Sequence, residues 1–463
     1  MGRILGPFSK LPISTLRISP IGLSLKSDGG WRLITHLSYP PGNSVNSYID
    51  TELSTVTYTS LDNILEKISE LKAPVKLSKM DVKSAFRLLI ISPADFDLLG
   101  IQFEGEFYIN KCLPFGCSIA CNLFEKFATF LQWVVEIRTG LSSLDHYLDD
   151  FIFMGGADTN NCMTLMSTFK EVCSELGVPV AENKTMGPTT VLPFLGFIID
   201  TELMMILIPP DKLAKLKSQL IPMLSRKKVT LKELESVTGL MSFCSKAIPS
   251  SRAFIRRFYD LMTCARQPYH KIRLNQEVKS DINLWLEFLD NFNGQVFFPE
   301  NLWTSNETLQ LFTDSSGNPE LGCGAYFQGS WAQFRWPESW RGLPLLGNMA
   351  LLEFIPVVLA MFIWADSFKN KNIIFHIDNM ALVSIVNKRS SKDKSVMKIM
   401  RPFVLLTMLN NLQFKATYIE GTKNKIADAL SRCQMLRFRT LAPTASSTQT
   451  EIPQKFLSLI SSI

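Results

Sequence analysis

SLDHYLDDFIFMGG, residues 143–156, sets two adjacent aspartates, Asp149 and Asp150, between apolar arms. The arms read as strands, so the stretch predicts a β-hairpin with the acid pair at its tip. Paired aspartates are common in turns for conformational reasons alone, and that is one reading. The other starts from the flanks. Tyr147, Leu148, Phe151, Ile152 and Phe153 call for burial, and two carboxylates carried inward with them are costly unless a cation compensates. Hard divalent ions held by carboxylate oxygens, with triphosphate oxygens completing the shell, suit that need. Two such ions about 3.5 to 4 Å apart would activate a hydroxyl and stabilise a leaving pyrophosphate. A strand from Val75 ends near Asp81, and antiparallel pairing would carry that third acid to the same edge.

Working outward, a helix is expected from about Ile119 to Ile137, with Leu123, Phe127, Leu131 and Val135 on one face and Gly140 beyond its end. A second hairpin is suggested by FLGFIID (194–200) followed by LMMILIP (203–209). Ahead of Val75, short apolar runs alternate with turn signals such as SDGG (27–30) and PPG (40–42). From Pro210 to Phe292 the period becomes helical, with a capping box at Thr230 and Glu233 and a helix opening at Pro249. Past Gly294 the order is βββαβααβα, a compact α/β unit. The end, APTASSTQTEIPQ (442–454), reads as a loose tail.

A chain of 463 residues has room for two large domains or about three ordinary ones. Its 46% hydrophobic and 19% charged content exclude a disordered polymer. The longest apolar run, Phe354 to Ala365, is interrupted by Pro356 and is shorter than the roughly 20 residues a membrane span needs. MGRILGPFSKLP lacks the features of a secretory signal and leaves almost no leader, so an intracellular location is expected, with nucleus and cytoplasm both open. The nine cysteines include no C-x-x-C, and His36, His146, His270 and His376 lie far apart, which argues against zinc and for an oxygen-ligated metal. Cys112, Cys117 and Cys121 are read as small core residues.

Charge is unevenly spread. Between residues 206 and 279 stand fifteen Lys/Arg against five acids, while the whole chain carries +6. Such a module reads as a polyanion grip, with solvated helix faces as the plainer alternative. The run Arg226-Lys227-Lys228 reads as part of that grip or as an import signal.

A second set of acids lies near the C-terminus. Asp314 ends a strand (LQLFTDSS), Glu353 lies near a helix start (MALLEF), Asp378 ends a strand (IFHIDN) and Asp428 sits in a late helix (KIADALSR). Each is embedded among apolar neighbours, so these side chains either point outward or converge on a cation. Convergence on two Mg²⁺ would let water attack a phosphodiester. TDSSG (313–317) does not make an aspartic protease, because Ser316 separates the serine from the glycine that motif needs.

Asp81-Val-Lys-Ser-Ala-Phe86 resembles the first palm motif of reverse transcriptases, Leu113-Pro-Phe-Gly-Cys117 the second, and Tyr147-Leu-Asp-Asp150 the YxDD motif. Lys184 in AENKT and Phe194-Leu-Gly-Phe197 fall where that family carries its fourth and fifth motifs, and Lys26 and Arg32 resemble the residues that hold the incoming triphosphate. The acids of the C-terminal unit, with YIEGTKNKIADALSR, resemble retroelement RNases H, although Glu420 to Lys425 lacks the histidine that some relatives place there. HYLDDFIF, LPFGCSIACNLFEKF and LKELESVTGLMSFCSKAIPSSRAF look most like DIRS-type retrotransposons.

The resemblance implies an α+β fold: a right-hand polymerase followed by an RNase H-like α/β domain. Fingers and palm would occupy 1–205, a basic helical thumb or connection 206–295, the RNase H-like domain 305–435 and a flexible tail 436–463. It implies an RNA-directed DNA polymerase with a ribonuclease acting on RNA–DNA hybrids. Two Mg²⁺ per site, or Mn²⁺ in their place, would be held by Asp81, Asp149 and Asp150 and by Asp314, Glu353, Asp378 and Asp428. Lys26, Arg32, Phe86, Phe115, Gly116 and Lys184 would contact substrate, with Gly116 letting template or nucleotide approach the backbone. Phe115 stands where retroviral enzymes carry glutamine. Phe86 and Phe115 also read as core residues. Arg252, Arg256 and Arg257 would hold nucleic acid. Implied partners are RNA template, DNA primer, RNA–DNA hybrid and dNTPs, without a membrane, and a separately encoded tyrosine recombinase; oligomeric state stays open. No integrase-like or protease segment is expected. The rival reading is a catalytically inactive, nucleic-acid-binding remnant, to which the presence of all seven acids is foreign.

Overall fold

The computed structural model describes residues 2–26, 29–71, 74–292, 295–297, 303–304 and 306–463. The first half of the SDGG turn and the whole segment 298–302 lie outside them. The chain forms two compact units, Met1–Met204 and Met205–Ile463.

In the first unit, β1 (Ile4–Phe8) leads to the hairpin of β2 (Ile21–Leu25) and β3 (Trp31–Thr35), then α1 (Leu61–Glu70) and β4 (Val75–Asp81). Next come β5 (Gly100–Phe103), β6 (Glu106–Asn110), α2 (Ala120–Thr139), β7 (Leu144–Tyr147), β8 (Asp150–Gly156) and α3 (Asn161–Glu175). The unit closes with β9 (Met186–Thr189), β10 (Val191–Phe194) and β11 (Phe197–Asp200). Its central sheet has the order β7-β8-β4-β9. β4 and β8 pair antiparallel without slippage from Val75↔Gly156 to Asp81↔Asp150. The run Phe151–Met154 is buried throughout, as expected of a strand covered on both faces.

α2 and α3 cover one face of this sheet. Phe169 of α3 packs on Phe151 at 4.5 Å and on Phe153 at 5.3 Å between ring centroids. α2 ends at Gly140 as the sequence predicts, but its buried stripe is Ala120, Phe124, Ala128, Leu131 and Val135, and Leu123 is exposed. Leu131 and Val135 are buried as expected and Phe127 is partly buried against the core, so only Leu123 leaves the expected face, and Ala120 and Ala128 let the helix lie close on the sheet. The run 191–200 also contains a hairpin that the sequence reading did not name. β10 pairs with β11 from Val191↔Asp200 to Phe194↔Phe197, so Leu195 and Gly196 form the turn itself, at φ 47° and 81°. Two successive residues at positive φ match the twist of a tight hairpin, and Gly196 meets half of that requirement without strain.

The second unit runs through β12 (Met205–Leu207), α4 (Pro210–Ser225), β13 (Lys228–Thr230), α5 (Leu231–Ala247), α6 (Arg256–Met262), β14 (Lys271–Arg273) and α7 (Gln276–Phe292). Thr230 and Glu233 form the expected capping box. A two-stranded ribbon of β13 and β14 interrupts the helices, which the helical period did not reveal. Then follow β15 (Gln295–Phe297), β16 (Trp303–Thr304), the short α8 (Asn306–Leu309), and a meander of β17 (Leu311–Ser315), β18 (Gly322–Phe327) and β19 (Ser330–Arg335). After α9 (Met349–Trp364), β20 (Asn372–Ile377) lies beside β17 and pairs parallel with β21 (Gln413–Tyr418) across α10 (Met380–Lys388) and α11 (Lys394–Leu409). α12 (Lys425–Ser431) packs on β17 and β18. The stretch Met349–Phe368 is long and apolar enough to cross a membrane, but its most apolar window is 72% buried inside this unit, where it serves as the core helix.

Two expectations are corrected here. Residues 436–463 are not a loose tail: α13 (Met435–Leu441) and α14 (Gln454–Ser461) are ordered. Phe438 is buried against Trp331 at 5.3 Å, and Phe456 against Phe334 at 5.4 Å. The polar stretch between these helices is tied down through its backbone, with Trp331 Nε1 donating to the Ser446 carbonyl at 2.8 Å. The second correction concerns segments read as separate. Asp281 of α7, fully buried, accepts from Arg257 of α6 at 2.7 Å and from Arg401 of α11 at 3.0 Å, and Arg401 also meets Glu277 at 2.6 Å. This buried ionic lattice joins the basic helices to the C-terminal α/β segment within one unit.

Candidate active sites

The first site is assembled by the register of β4 against β8. That register puts Asp81, the last residue of β4, directly across from Asp150. The hairpin between β7 and β8 pairs Tyr147 with Asp150, leaving Leu148 and Asp149 as its two-residue turn, with Leu148 at φ 55°. The Val82 N–H donates to the Asp149 carbonyl at 2.9 Å, which fixes the turn over the end of β4. Ala181 N–H donates to the Asp81 carbonyl at 2.8 Å, and the helical turn after it brings Lys184 Nζ to Asp81 Oδ2 at 2.7 Å. Four of the expected residues therefore lie at one end of the sheet, Asp81, Asp149, Asp150 and Lys184, with Lys184 bonded to Asp81.

Their electrostatics follow from crowding. Burial raises the Asp149 carboxyl above its usual range and Asp81 adds to this, opposed by Lys184 and Arg32. Asp150 keeps an exposed edge, yet the dense surroundings of its carboxyl, followed by Asp149 and Asp81, push it up to about 6. Lys184 is raised by its hydrogen bond to Asp81. Only Asp81 is paired directly with an ammonium, Lys184, while Arg32 and Lys79 act on the other two carboxylates from farther off, and the donor atoms are all oxygen, which suits a hard divalent cation.

Beside the acids runs a line of rings. Arg32 of β3 lies over Phe115 at 4.6 Å, Phe115 meets Phe86 at 5.3 Å, and Phe86 meets Phe124 of α2 edge-on at 5.8 Å. Phe86 is half-buried, following Ser84 and Ala85 at φ 71° and 22°. It packs on the core and still presents an edge. Gly116 is placed differently from expectation. At φ 109° a Cβ there would lie 1.9 Å from the Thr35 carbonyl oxygen, so the close approach that demands glycine is made by the protein's own β3. Asn46 holds this contact by donating to the Gly116 carbonyl at 2.8 Å and accepting from Ser118 N–H at 3.0 Å. Lys26 stands exposed beyond β2 and, among the described residues, is in no ion pair.

Behind the hairpin lies a buried network that the sequence reading did not single out. His146 of β7, 6% exposed, stacks on Phe151 at 5.2 Å. Gln132 of α2 donates through Nε2 to Glu136 at 2.9 Å, which turns its Oε1 to accept from His146 Nδ1 at 2.6 Å. His146 Nε2 faces Glu125 Oε1 at 3.3 Å, and the Tyr58 ring lies tilted against that of Tyr147 at 4.8 Å. Tyr58, Glu125, Gln132, Glu136 and His146 border a cavity of about 420 Å³. The one available signal was alternation: Leu144 and His146 share the inward face of β7.

In the second unit, Asp314 of β17, Glu353 of α9 and Asp378 at the end of β20 bring carboxylate oxygens within 4.8 Å of one another. Burial, and then Asp378 and Asp428, push Asp314 up to about 7, although Ser431 donates to it at 2.5 Å. Glu353, buried beside Asp314 and Asp378, rises to about 9, with Ser315 donating to it at 2.9 Å. Again an oxygen-only donor set lacks countercharge. Asp428 does not join the cluster. Arg432 Nε and Arg437 hold its two oxygens at 2.5 and 2.6 Å, and these bonds outweigh partial burial to keep its carboxyl below the usual range. Its i+4 arginine and α13 supply the cations that a metal would have replaced.

The nucleic-acid residues divide as well. Arg252 and Arg256 are exposed, but Arg257 is bound to buried Asp281 and is thus a structural residue, not a free contact.

Comparison with known proteins agrees with the first site. Residues 25–199 match the family described as reverse transcriptase (RNA-dependent DNA polymerase). The Pro-Pol polyprotein of feline foamy virus is 24% identical over 244 residues, 53% of this chain and 19% of that protein. That of simian foamy virus type 1 is 22% identical over 302 residues, 65% of this chain and 23% of that protein. The chain thus spans about a fifth of these relatives' length. The solved foamy viral protease-reverse transcriptase in complex with dsDNA shares the fold, with a TM-score of 0.51 and 18% identity over 90% of this chain and 80% of that one. Residues 25–199, which hold Asp81, Asp149 and Asp150 on one edge of their central sheet, are thus similar to reverse transcriptases.

Proposed function

We propose that this chain is an RNA-directed DNA polymerase with a second, ribonuclease H activity, acting in the replication of a retroelement. The observation that carries the reading is the meeting of Asp81, Asp149 and Asp150 at one sheet edge beside Lys184. Mg²⁺, or Mn²⁺ in its place, would be held there by these carboxylates and would supply activation of a 3′-hydroxyl and charge stabilisation at pyrophosphate departure. The chain's own residues do the rest. The β7–β8 turn positions Asp149 through its bond to Val82, Lys184 orients Asp81 through its hydrogen bond, and Arg32 offers a cation toward triphosphate. Phe86 presents its edge beneath the sugar. Lys26, in the exposed hairpin end, would close the triphosphate contacts.

For the second unit we propose hydrolysis of the RNA strand of RNA–DNA hybrids at Asp314, Glu353 and Asp378, with Asp428 joining once its arginines release it. The reading of 206–295 as thumb or connection rests on its basic helices. Likeness in HYLDDFIF and LPFGCSIACNLFEKF supports a DIRS-type element, with a tyrosine recombinase as partner. RNA template, DNA primer and dNTPs are the proposed ligands; the foamy viral protein of like fold was solved with dsDNA. Extension of a labelled DNA primer on an RNA template, with Mg²⁺ and after chelation, tests the polymerase. Metal-dependent extension is expected, and binding without extension would favour an inactive remnant.

A further inference from the structure

We infer that the ribbon of β13 and β14 is a contact surface for the phosphodiester backbone of a nucleic acid. Its strands pair Lys228 with Arg273, Val229 with Ile272 and Thr230 with Lys271. Val229 and Ile272 are buried, so strand alternation turns Lys228, Arg273 and Lys271 together toward the opposite face, where all three are exposed. The ribbon continues one step further, Leu274 N–H donating to the carbonyl of exposed Lys227 at 3.0 Å.

Like charges directly opposite each other in an antiparallel pair are destabilising, and Lys228 with Arg273 is such a pair. Among the described residues, no carboxylate lies within ion-pair distance of Lys227, Lys228, Lys271 or Arg273. The nearby acids are already engaged, Glu233 by Arg226 and the Thr230 N–H, and Glu277 by Arg401. The chain therefore concentrates cations that it does not neutralise. Residues two apart on one strand face are about 6.8 Å apart, which lays the charges out as a row and suits an extended polyanion better than one small anion. At the end of the row Tyr269 is 72% exposed, set edge-on to His270 at 5.1 Å, and offers a face on which a base can stack. This inference rests on the nucleic-acid reading above and deepens it, by moving the grip from Arg257 to the ribbon.

The full chain is titrated onto a fluorescent primer-template at several salt concentrations without dNTPs, with thermal melting and primer extension measured separately. The triple substitution Lys228→Gln, Lys271→Gln and Arg273→Gln should weaken binding. It should also flatten the slope of log K against log[salt] by up to about 2.7, roughly 0.9 per lost phosphate contact. Arg273→Glu alone sets a carboxylate across from Lys228 and should raise Tm while lowering affinity, a pair of opposite signs that a merely solvated face does not give. Unchanged affinity and slope in folded variants would overturn the inference. So would wild-type protein that binds phosphatidylserine vesicles through the ribbon but not primer-template. Ribbon-dependent binding without extension upholds the surface and removes the polymerase reading; extension with ribbon-independent binding does the reverse.

Discussion

Replacing His146 with leucine tests whether the hairpin that carries Asp149 is held from behind. The side chain is 6% exposed and stacked on Phe151, so leucine keeps most of the packing and removes only the polar contacts. Gln132 Oε1 then loses its donor, and Glu125 faces an alkyl group instead of an imidazole. A buried acceptor left unpaired costs about 1 to 3 kcal/mol, and a carboxylate costs more, so the expected loss is about 2 to 4 kcal/mol. His146→Asn retains a donor in the place of Nδ1 and should lose less. Gln132→Leu added to His146→Leu should cost little more, because the acceptor is gone, giving a coupling energy of about 0.5 to 3 kcal/mol. Urea unfolding supplies each value. Since β7 leads directly into Asp149, extension by the folded His146→Leu protein should show a lower kcat with the KM for dNTP less changed. A loss under about 0.5 kcal/mol, or strict additivity with Gln132→Leu, would refute the anchoring role.

Other expectations follow from single contacts. Arg401→Met leaves Asp281 fully buried with only Arg257, and should cost about 3 to 5 kcal/mol by thermal melting. Glu233 is held at about 2, chiefly by Arg226, below its ordinary 4.5. Its folded-state pKa is depressed, so its contribution is present above about pH 4.5 and lost as pH falls toward 2; being largely solvent-screened, it is worth at most about 1 kcal/mol. Urea midpoints at pH 3 and 6 should differ less in Glu233→Gln than in wild type. Phe86→Val should raise incorporation of ribonucleotides relative to deoxyribonucleotides, read as kcat/KM for both sugars on one template, and an unchanged ratio in an active variant would return Phe86 to the core alone.

What the sequence made legible was local. Strand ends at Asp81 and Asp378, the tip of the YLDD hairpin, the capping box at Thr230 and the helix stop at Gly140 each rest on a few adjacent residues with their own physical preference. The meeting of Asp81 with Asp149 and Asp150 followed from antiparallel pairing once those ends were fixed. What stayed hidden depends on partners distant in sequence. Leu123 and Phe124 are equally apolar, and only the sheet beneath α2 chooses Phe124. Arg256 and Arg257 are neighbours with the same charge, yet only Arg257 reaches Asp281, 24 residues on. Gly116 signalled a close approach, but not that Thr35 makes it. Asp428 carried the motif, while the grip of Arg437 on it depends on α13, which begins just ahead of the stretch read as a flexible tail.

The most direct measurement is a paired assay of Asp149→Asn and Asp378→Asn in the full chain, one lane reading primer extension on RNA and the other cleavage of a labelled hybrid. Asp149 and Asp378 lie in different compact units. Asp149→Asn should abolish extension and spare cleavage, and Asp378→Asn should do the opposite. Undiminished extension by folded Asp149→Asn would contradict the account at its centre.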